Sequence, residues 1–276
     1  MEYWIWLSSV PYIGPVTSRR LLQVFGEPET VYRSDASDLC QIKGITQRQI
    51  NSIIENKSLD RVHKIMEDCE KHHISILAQN DSDYPERAKE PEDSPVILYY
   101  KGCIRNMEKT VGIVGARRCT QEEKFKVKEI TEQYVSNHTA IISGMAKGID
   151  SYAHTACLKA GGYTVAVLGN GLDICYPCEH RKLMEQIAER GLLISEYPPG
   201  TQPVPYRFPK RNRLISAWSD KLIVVAAGRE SGAFITAEYE KKYGREVEVM
   251  YKENHGRQQC ELANCHQVSI VFLPNL

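Results

Sequence analysis

No stretch of the chain approaches the roughly 18 consecutive apolar residues of a membrane-spanning helix, so no span is expected. The opening Met1-Glu2-Tyr3-Trp4 lacks a basic region followed by an apolar run, which predicts no secretory leader. Net charge is lacking too: 35 Lys and Arg balance 35 Asp and Glu. Phosphate binding usually leaves a basic footprint, so neutrality argues mildly against nucleic acid and confines any such role to a local patch. There is no disulfide framework, because the nine cysteines are an odd and scattered set. Free thiols in a reducing cytoplasm are the expectation. Cys175 and Cys178 have CxxC spacing, but Cys260, Cys265 and His266 lack clean ligand spacing, so no metal is expected. No GxGxxG run occurs, which weakens a dinucleotide reading, and no cofactor is expected.

What is present is ordinary in bulk and unusual in its loops. A chain of 276 residues with 42% hydrophobic and 25% charged residues can bury a real core in one large domain, or one large and one small. The first part reads as helical. Thr17 is a candidate cap for a helix to Phe25 with Gly26 as its stop, and Thr46 caps a second helix through Ile54. The two turns Ile13-Gly14-Pro15 and Lys43-Gly44-Ile45 look like a helix-hairpin-helix module, in which glycine lets backbone approach a phosphate at a helix N-terminus. A small helical bundle with glycine turns and no ligand is the alternative. Leu59 to His73 reads as a further helix, Ile74-Ser75-Ile76-Leu77 as a short strand, and a Pro-, Asp- and Glu-rich loop lies between Asp81 and Pro95. The boundary is placed near residue 74, giving an all-helical segment 1–73 and a second domain 74–276.

From Thr110 strands and helices alternate. Strands are expected at 111–115, 140–143, 163–168, 192–195, 221–226, 246–250 and 268–272, and helices at 122–135, 149–159, 180–189 and 233–243. That alternation predicts an α/β, Rossmann-like parallel sheet covered on both faces, with ligands beyond the carboxyl ends of its strands.

Those ends carry the candidate chemistry. The first runs into Gly115-Ala116-Arg117-Arg118, where glycine admits an anion and Arg117 can fork onto it. The second runs into Ser143-Gly144-Met145-Ala146-Lys147-Gly148, two glycines around an ammonium at a helix start. Asp150 and His154 share a helical face, either as an acid/base couple or as a buried polar lock. The segment Arg207-Phe208-Pro209-Lys210-Arg211-Asn212-Arg213 reads as a basic loop in which bases stack on Phe208 while cations track a backbone; a merely solvated basic loop is the alternative. Ser231-Gly232 is a further candidate anion nest. Several phosphate-ready loops on one rim point to a polyanion or a nucleotide.

Taken in order and spacing, Gly115–Arg117, Ser143–His154, Gly169–Pro177, Ser195–Gly200, Phe208–Arg213 and Ser231–Ala237 closely resemble the DprA/Smf family of DNA-processing proteins. The likeness runs from about Ile76 to Ala237, and the helical start fits the sterile-alpha-motif-like domain that often precedes this fold. The resemblance implies a cytoplasmic, usually dimeric protein with no catalytic role. Such a protein binds and protects single-stranded DNA during natural transformation and helps load the RecA recombinase. It also implies phosphate contacts at Arg117, Lys147, Arg211 and Arg213, and stacking at Phe208. The family often has Arg where Lys147 stands, which keeps the charge and loses the fork. The tail from Tyr251 departs most from the family pattern. The competing reading is a nucleotide-cleaving phosphoribohydrolase on a related fold, with Asp150, Glu196 or Glu230 as acid or base. Against it, the chain lacks a Gly-Gly-x-Gly-Thr run followed by Glu.

Overall fold

Residues 1–225, 236, 238–239, 242–252 and 268–273 are described by the computed structural model of the chain. The chain divides into two compact units, Met1–Tyr99 and Tyr100–Leu276.

In the first unit, apolar residues at helical spacing gather six helices around one small core: α1 (Glu2–Ser9), α2 (Pro15–Phe25), α3 (Pro28–Arg33), α4 (Ala36–Cys40), α5 (Gln47–Glu55) and α6 (Asp60–Lys71). Trp6, Leu7, Leu21, Val31, Leu39 and Ile53 are its buried centre. The expected start of α2 moves from Thr17 to Pro15, because proline is preorganised for the first helical position; Thr17 is instead buried and accepts from Gln49 Nε2 at 3.0 Å. Gly26, at φ +79°, ends α2 as expected. At α5 the Thr46 hydroxyl accepts from the Gln49 N–H while the Gln49 side chain accepts from the Thr46 N–H. Arg20 donates to the Gly44 carbonyl at 2.9 Å. The second hairpin therefore spends donors of its first turn on its own side chains. Beyond these helices lie β1 (Ser75–Ala78), the single-turn α7 (Glu86–Lys89) and β2 (Ile97–Gly102), with β1 beside β2. The expected strand at 74–77 is thus found one residue on, and β2 was not foreseen from the sequence.

The second unit is built on parallel strands: β3 (Thr110–Gly115), β4 (Ala140–Ser143), β5 (Thr164–Leu168), β6 (Leu192–Ser195), β7 (Lys221–Val225), β8 (Glu246–Lys252) and β9 (Val268–Leu273). Within this unit the order is β6-β5-β4-β3-β7-β8-β9, every pairing parallel. Strands of nearly continuous Val, Ile and Leu are what a sheet buried on both faces requires. The helices α8 (Gln121–Ser136), α9 (Ile149–Lys159), α10 (Arg181–Arg190) and α11 (Arg207–Ala217) alternate with the strands from β3 to β7. Val127 and Ile130 of α8 and Ile149, Ala153 and Cys157 of α9 pack on Val111, Ile113, Ile141 and Ile223. The winding places β4, β5 and β6 on one side of β3 and β7 on the other, so the strand order reverses between β3 and β7. In parallel sheets a crevice opens at such a point, outside the carboxyl ends. Gly115 and Val225 are the last paired residues there.

One expected element changes class. The segment 207–213, read as a basic loop, is the first part of α11. Pro209 lies within the first turn, where a missing N–H costs no hydrogen bond.

Candidate nucleic-acid interface

The loop after β4 is shaped by a carboxylate from the chain itself. Asp150, in the first turn of α9, is buried and accepts from the Gly144 N–H at 3.1 Å. Burial pushes its carboxyl up from the usual range, against the opposing pull of Arg211 and of backbone N–H groups of Gly144, Ala146 and Gly115. The donors that the sequence offered to an external phosphate are thus largely given to Asp150. Glycine is required here for close packing rather than for a ligand. A Cβ on Gly144 would collide with the Arg211 guanidinium, one on Gly115 with the Val225 carbonyl, and one on Gly148 with the Ala116 carbonyl. Gly148 also has φ +80°, which L side chains rarely adopt.

Arg211 and Arg213 correct the sequence expectation. Arg211 is 4% exposed and donates to the carbonyls of Gly144 (2.6 Å) and Val167 and to Asn212 Oδ1 (3.0 Å). Burial draws its pKa down to about 10 while Asp150 pulls the other way. Arg213, 3% exposed, is ion-paired with Glu196. They lie two apart, on different sides of α11, but every residue from Arg211 to Ala217 is buried, so both guanidiniums are enclosed and neither lies open to a phosphate in solvent. They clamp α11 onto the ends of β4, β5 and β6.

The exposed cations lie outside this clamp. Arg117 is exposed and makes no hydrogen bond or ion pair among the described residues; its field reaches Arg211, and its backbone abuts Gly148. Lys147 is exposed, and its ammonium is held by Glu179 across 2.5 Å, which raises the lysine pKa and lowers that of the carboxyl. Lys147 also feels Tyr176. Tyr176 stacks on Phe208 with centroids 5.3 Å apart at 25°, and Phe208 lies against Gly169. Arg117, Lys147 and the α11 start bearing Phe208 therefore share one rim, at the carboxyl ends of β3, β4 and β5. Ser231, Gly232 and Glu230, together with Cys260, Cys265 and His266, lie outside the described residues. Among the described residues no group of His, Cys, Asp and Glu could hold a metal ion, and no helix is long and apolar enough to cross a membrane.

Residues 75–268 match the sequence model of the family described as DNA recombination-mediator protein A. The chain belongs to that family. Residues 7–56 match the SAM-like helix-hairpin-helix tandem. The chain is 37% identical over 250 residues to a protein Smf of Synechocystis sp., a match covering 89% of this chain and 63% of that protein. It thus spans less than two thirds of that relative's length. Its structure is similar to an X-ray structure of DNA processing protein A from Streptococcus pneumoniae (29% identity, TM-score 0.79, 98% of this chain and 94% of that one). It is also similar to a Helicobacter pylori DNA processing protein A studied for its single-stranded DNA binding mode (30% identity, TM-score 0.64, 71% of this chain and 90% of that one). The rim thus has an exposed outer tier with the cations Arg117 and Lys147, and an inner tier in which the side chains of Asp150, Glu196, Arg211 and Arg213 are buried together.

His154 shows how dry the inner tier is. Thr164 Oγ1 donates to the Ile141 carbonyl at 2.8 Å, so it accepts from His154 Nδ1 at 2.7 Å, which puts the proton on Nδ1. His154 Nε2 has no hydrogen-bond partner among the described residues. Burial, then Arg211 and His180, hold the imidazole pKa down to about 3. The polar-lock reading of His154 therefore fits its surroundings better than the acid/base one. The folded state keeps this ring neutral while the unfolded chain protonates near pH 6.5. Stability from His154 is thus present above pH 6.5 and lost as pH falls toward 3, at about 1.4 kcal/mol per pH unit. His154→Leu is expected to flatten this part of the pH profile of urea unfolding; an unchanged slope between pH 6 and 4 contradicts the assignment.

Proposed function

We propose that this chain holds single-stranded DNA along the rim at the carboxyl ends of β3, β4 and β5 and acts as a recombination mediator, not an enzyme. In this reading it protects incoming strands during natural transformation and presents them to the RecA recombinase, working in the cytoplasm as a homodimer. The observation that carries the DNA reading is the pair of exposed cations, Arg117 and Lys147, beside partly exposed aromatic rings on a protein of zero net charge. The competing phosphoribohydrolase reading needs an accessible acid or base. Asp150 faces Arg211 and backbone donors, and Glu196 is paired with Arg213, so both carboxylates serve the clamp.

The test is binding of single- and double-stranded oligonucleotides across a salt series. Single strands are expected to bind more tightly, with log affinity falling linearly in log salt at a slope of about −0.7 per phosphate contacted. Salt-independent binding, or equal affinity for duplex, contradicts the proposal. Glu179→Gln in the same series releases Lys147 from its carboxylate. Several-fold tighter binding and a steeper salt slope are expected; weaker binding instead shows that Glu179 positions Lys147 for DNA.

A further inference from the structure

We propose that Tyr176, Tyr206 and Arg207 form a nucleobase-stacking platform beside the cationic rim, a refinement that rests on the single-strand reading above. Large rings are normally buried, because each hides about 150–250 Å² of surface. Here Tyr176 keeps 46% of its surface exposed and Tyr206 68%. The two rings are not scattered. Phe208, half-buried and seated against Gly169, backs Tyr176 in a stacked arrangement. The Arg207 guanidinium lies 4.9 Å from the Tyr197 ring and 5.6 Å from the Tyr206 ring, and is pinned by donating to the Gln202 carbonyl.

The ground under these rings is firm. Gly171 N–H donates to the Thr201 carbonyl at 2.9 Å, and the Asp173 carboxylate accepts from the Gly200 N–H at 3.0 Å, joining the loops after β5 and β6. Rings held this way lose little freedom on binding, which favours affinity. The chemistry selects the occupant. A flat π face backed by a second ring at Tyr176, an open ring at Tyr206 beside the planar Arg207 cation, and the Lys147 ammonium close to Tyr176 suit unpaired bases whose phosphates run past the cations. A duplex hides its base faces, so the platform supplies the preference for single strands that the cations alone do not.

The test uses the full chain with Tyr176→Ala, Tyr206→Ala, Tyr176→Phe and Tyr206→Phe, an oligothymidylate, and an abasic phosphodiester of equal length. Each alanine variant is expected to weaken oligothymidylate binding roughly 5- to 100-fold at unchanged salt slope and to leave the abasic strand alone. The phenylalanine variants are expected to bind like wild type, because they keep the ring. Equal loss on both strands, no loss on either, or loss of self-association at unchanged DNA affinity overturns the platform. Wild-type chain that prefers duplex overturns the single-strand reading itself, a result distinguishable from any of these. An alanine variant that melts early is judged by its phenylalanine counterpart: oligothymidylate affinity at the wild-type level supports the platform, and a loss there overturns it.

Discussion

Arg211→Ala combined with Arg213→Ala is expected to destabilise the α/β unit by several kcal/mol. Both side chains lie inside the protein, 4% and 3% exposed. Removing Arg211 leaves the carbonyls of Gly144 and Val167 without those donors and strips Asp150 of its cationic neighbour. Removing Arg213 leaves the Glu196 carboxylate without that partner in a pair whose side chains are 4% and 7% exposed. Breaking one buried pair by truncating a partner costs about 3–5 kcal/mol. Domains hold only about 5–15 kcal/mol in total, so the double variant sits near the edge of folding. Urea unfolding reports the loss directly. Arg213→Met with Glu196→Leu, which removes both charges, is expected to recover much of the stability lost in Arg213→Ala, because neither charge is then left alone. A double-alanine variant with wild-type stability and weakened DNA binding would return the two arginines to the DNA interface.

The sheet was legible because its signal is periodic and repeated. Apolar runs such as Ala140–Ser143 and Leu192–Ser195, each bounded by turn residues and separated by a helical pattern, gave strands with the observed bounds. The helix at Ile149–Lys159 was equally plain, following Gly148 directly. The strand at Ile97–Gly102 was hidden behind a Pro- and Asp-rich loop that drew attention to turn chemistry. The α11 segment misled for a physical reason. Four cations in seven residues read as solvated, yet Arg211 and Arg213 are enclosed, where backbone carbonyls and Glu196 replace water. Sequence proximity to a basic run could not separate the enclosed residues from Lys210, which stays exposed. The glycines of the rim misled in the same way. Their positions were right, but the carboxylate that fills the β4 loop is Asp150, six residues after Gly144 in the first turn of α9. A carboxylate at the start of a helix that follows a glycine turn was the available signal, since such a residue can fill the nest itself. Tyr206 was passed over for Phe208 because the two are near neighbours in sequence; exposure separates them, Tyr206 being the more open.

Arg117→Ala is expected to lower affinity for single-stranded DNA roughly 10- to 100-fold while leaving the unfolding midpoint unchanged, because a charge-assisted hydrogen bond contributes about 1.5–3 kcal/mol. The two readouts separate here because Arg117 is exposed and makes no hydrogen bond or ion pair among the described residues, whereas Arg211 and Arg213 hold the fold. Its place after β3, where the strand order reverses, is where a parallel sheet leaves a crevice. Adding Lys147→Ala is expected to cost less than Arg117→Ala, since the lysine is already shared with Glu179 and presents a point charge instead of a fork. The salt slope should shrink by about 0.7 for each phosphate contact removed. Arg117→Lys should keep the slope and lose part of the affinity, because the charge stays while the bidentate geometry goes. If Arg117→Ala binds single strands at wild-type affinity across the salt series, the outer tier of this rim does not hold the DNA backbone. The cationic path must then be sought elsewhere on the chain.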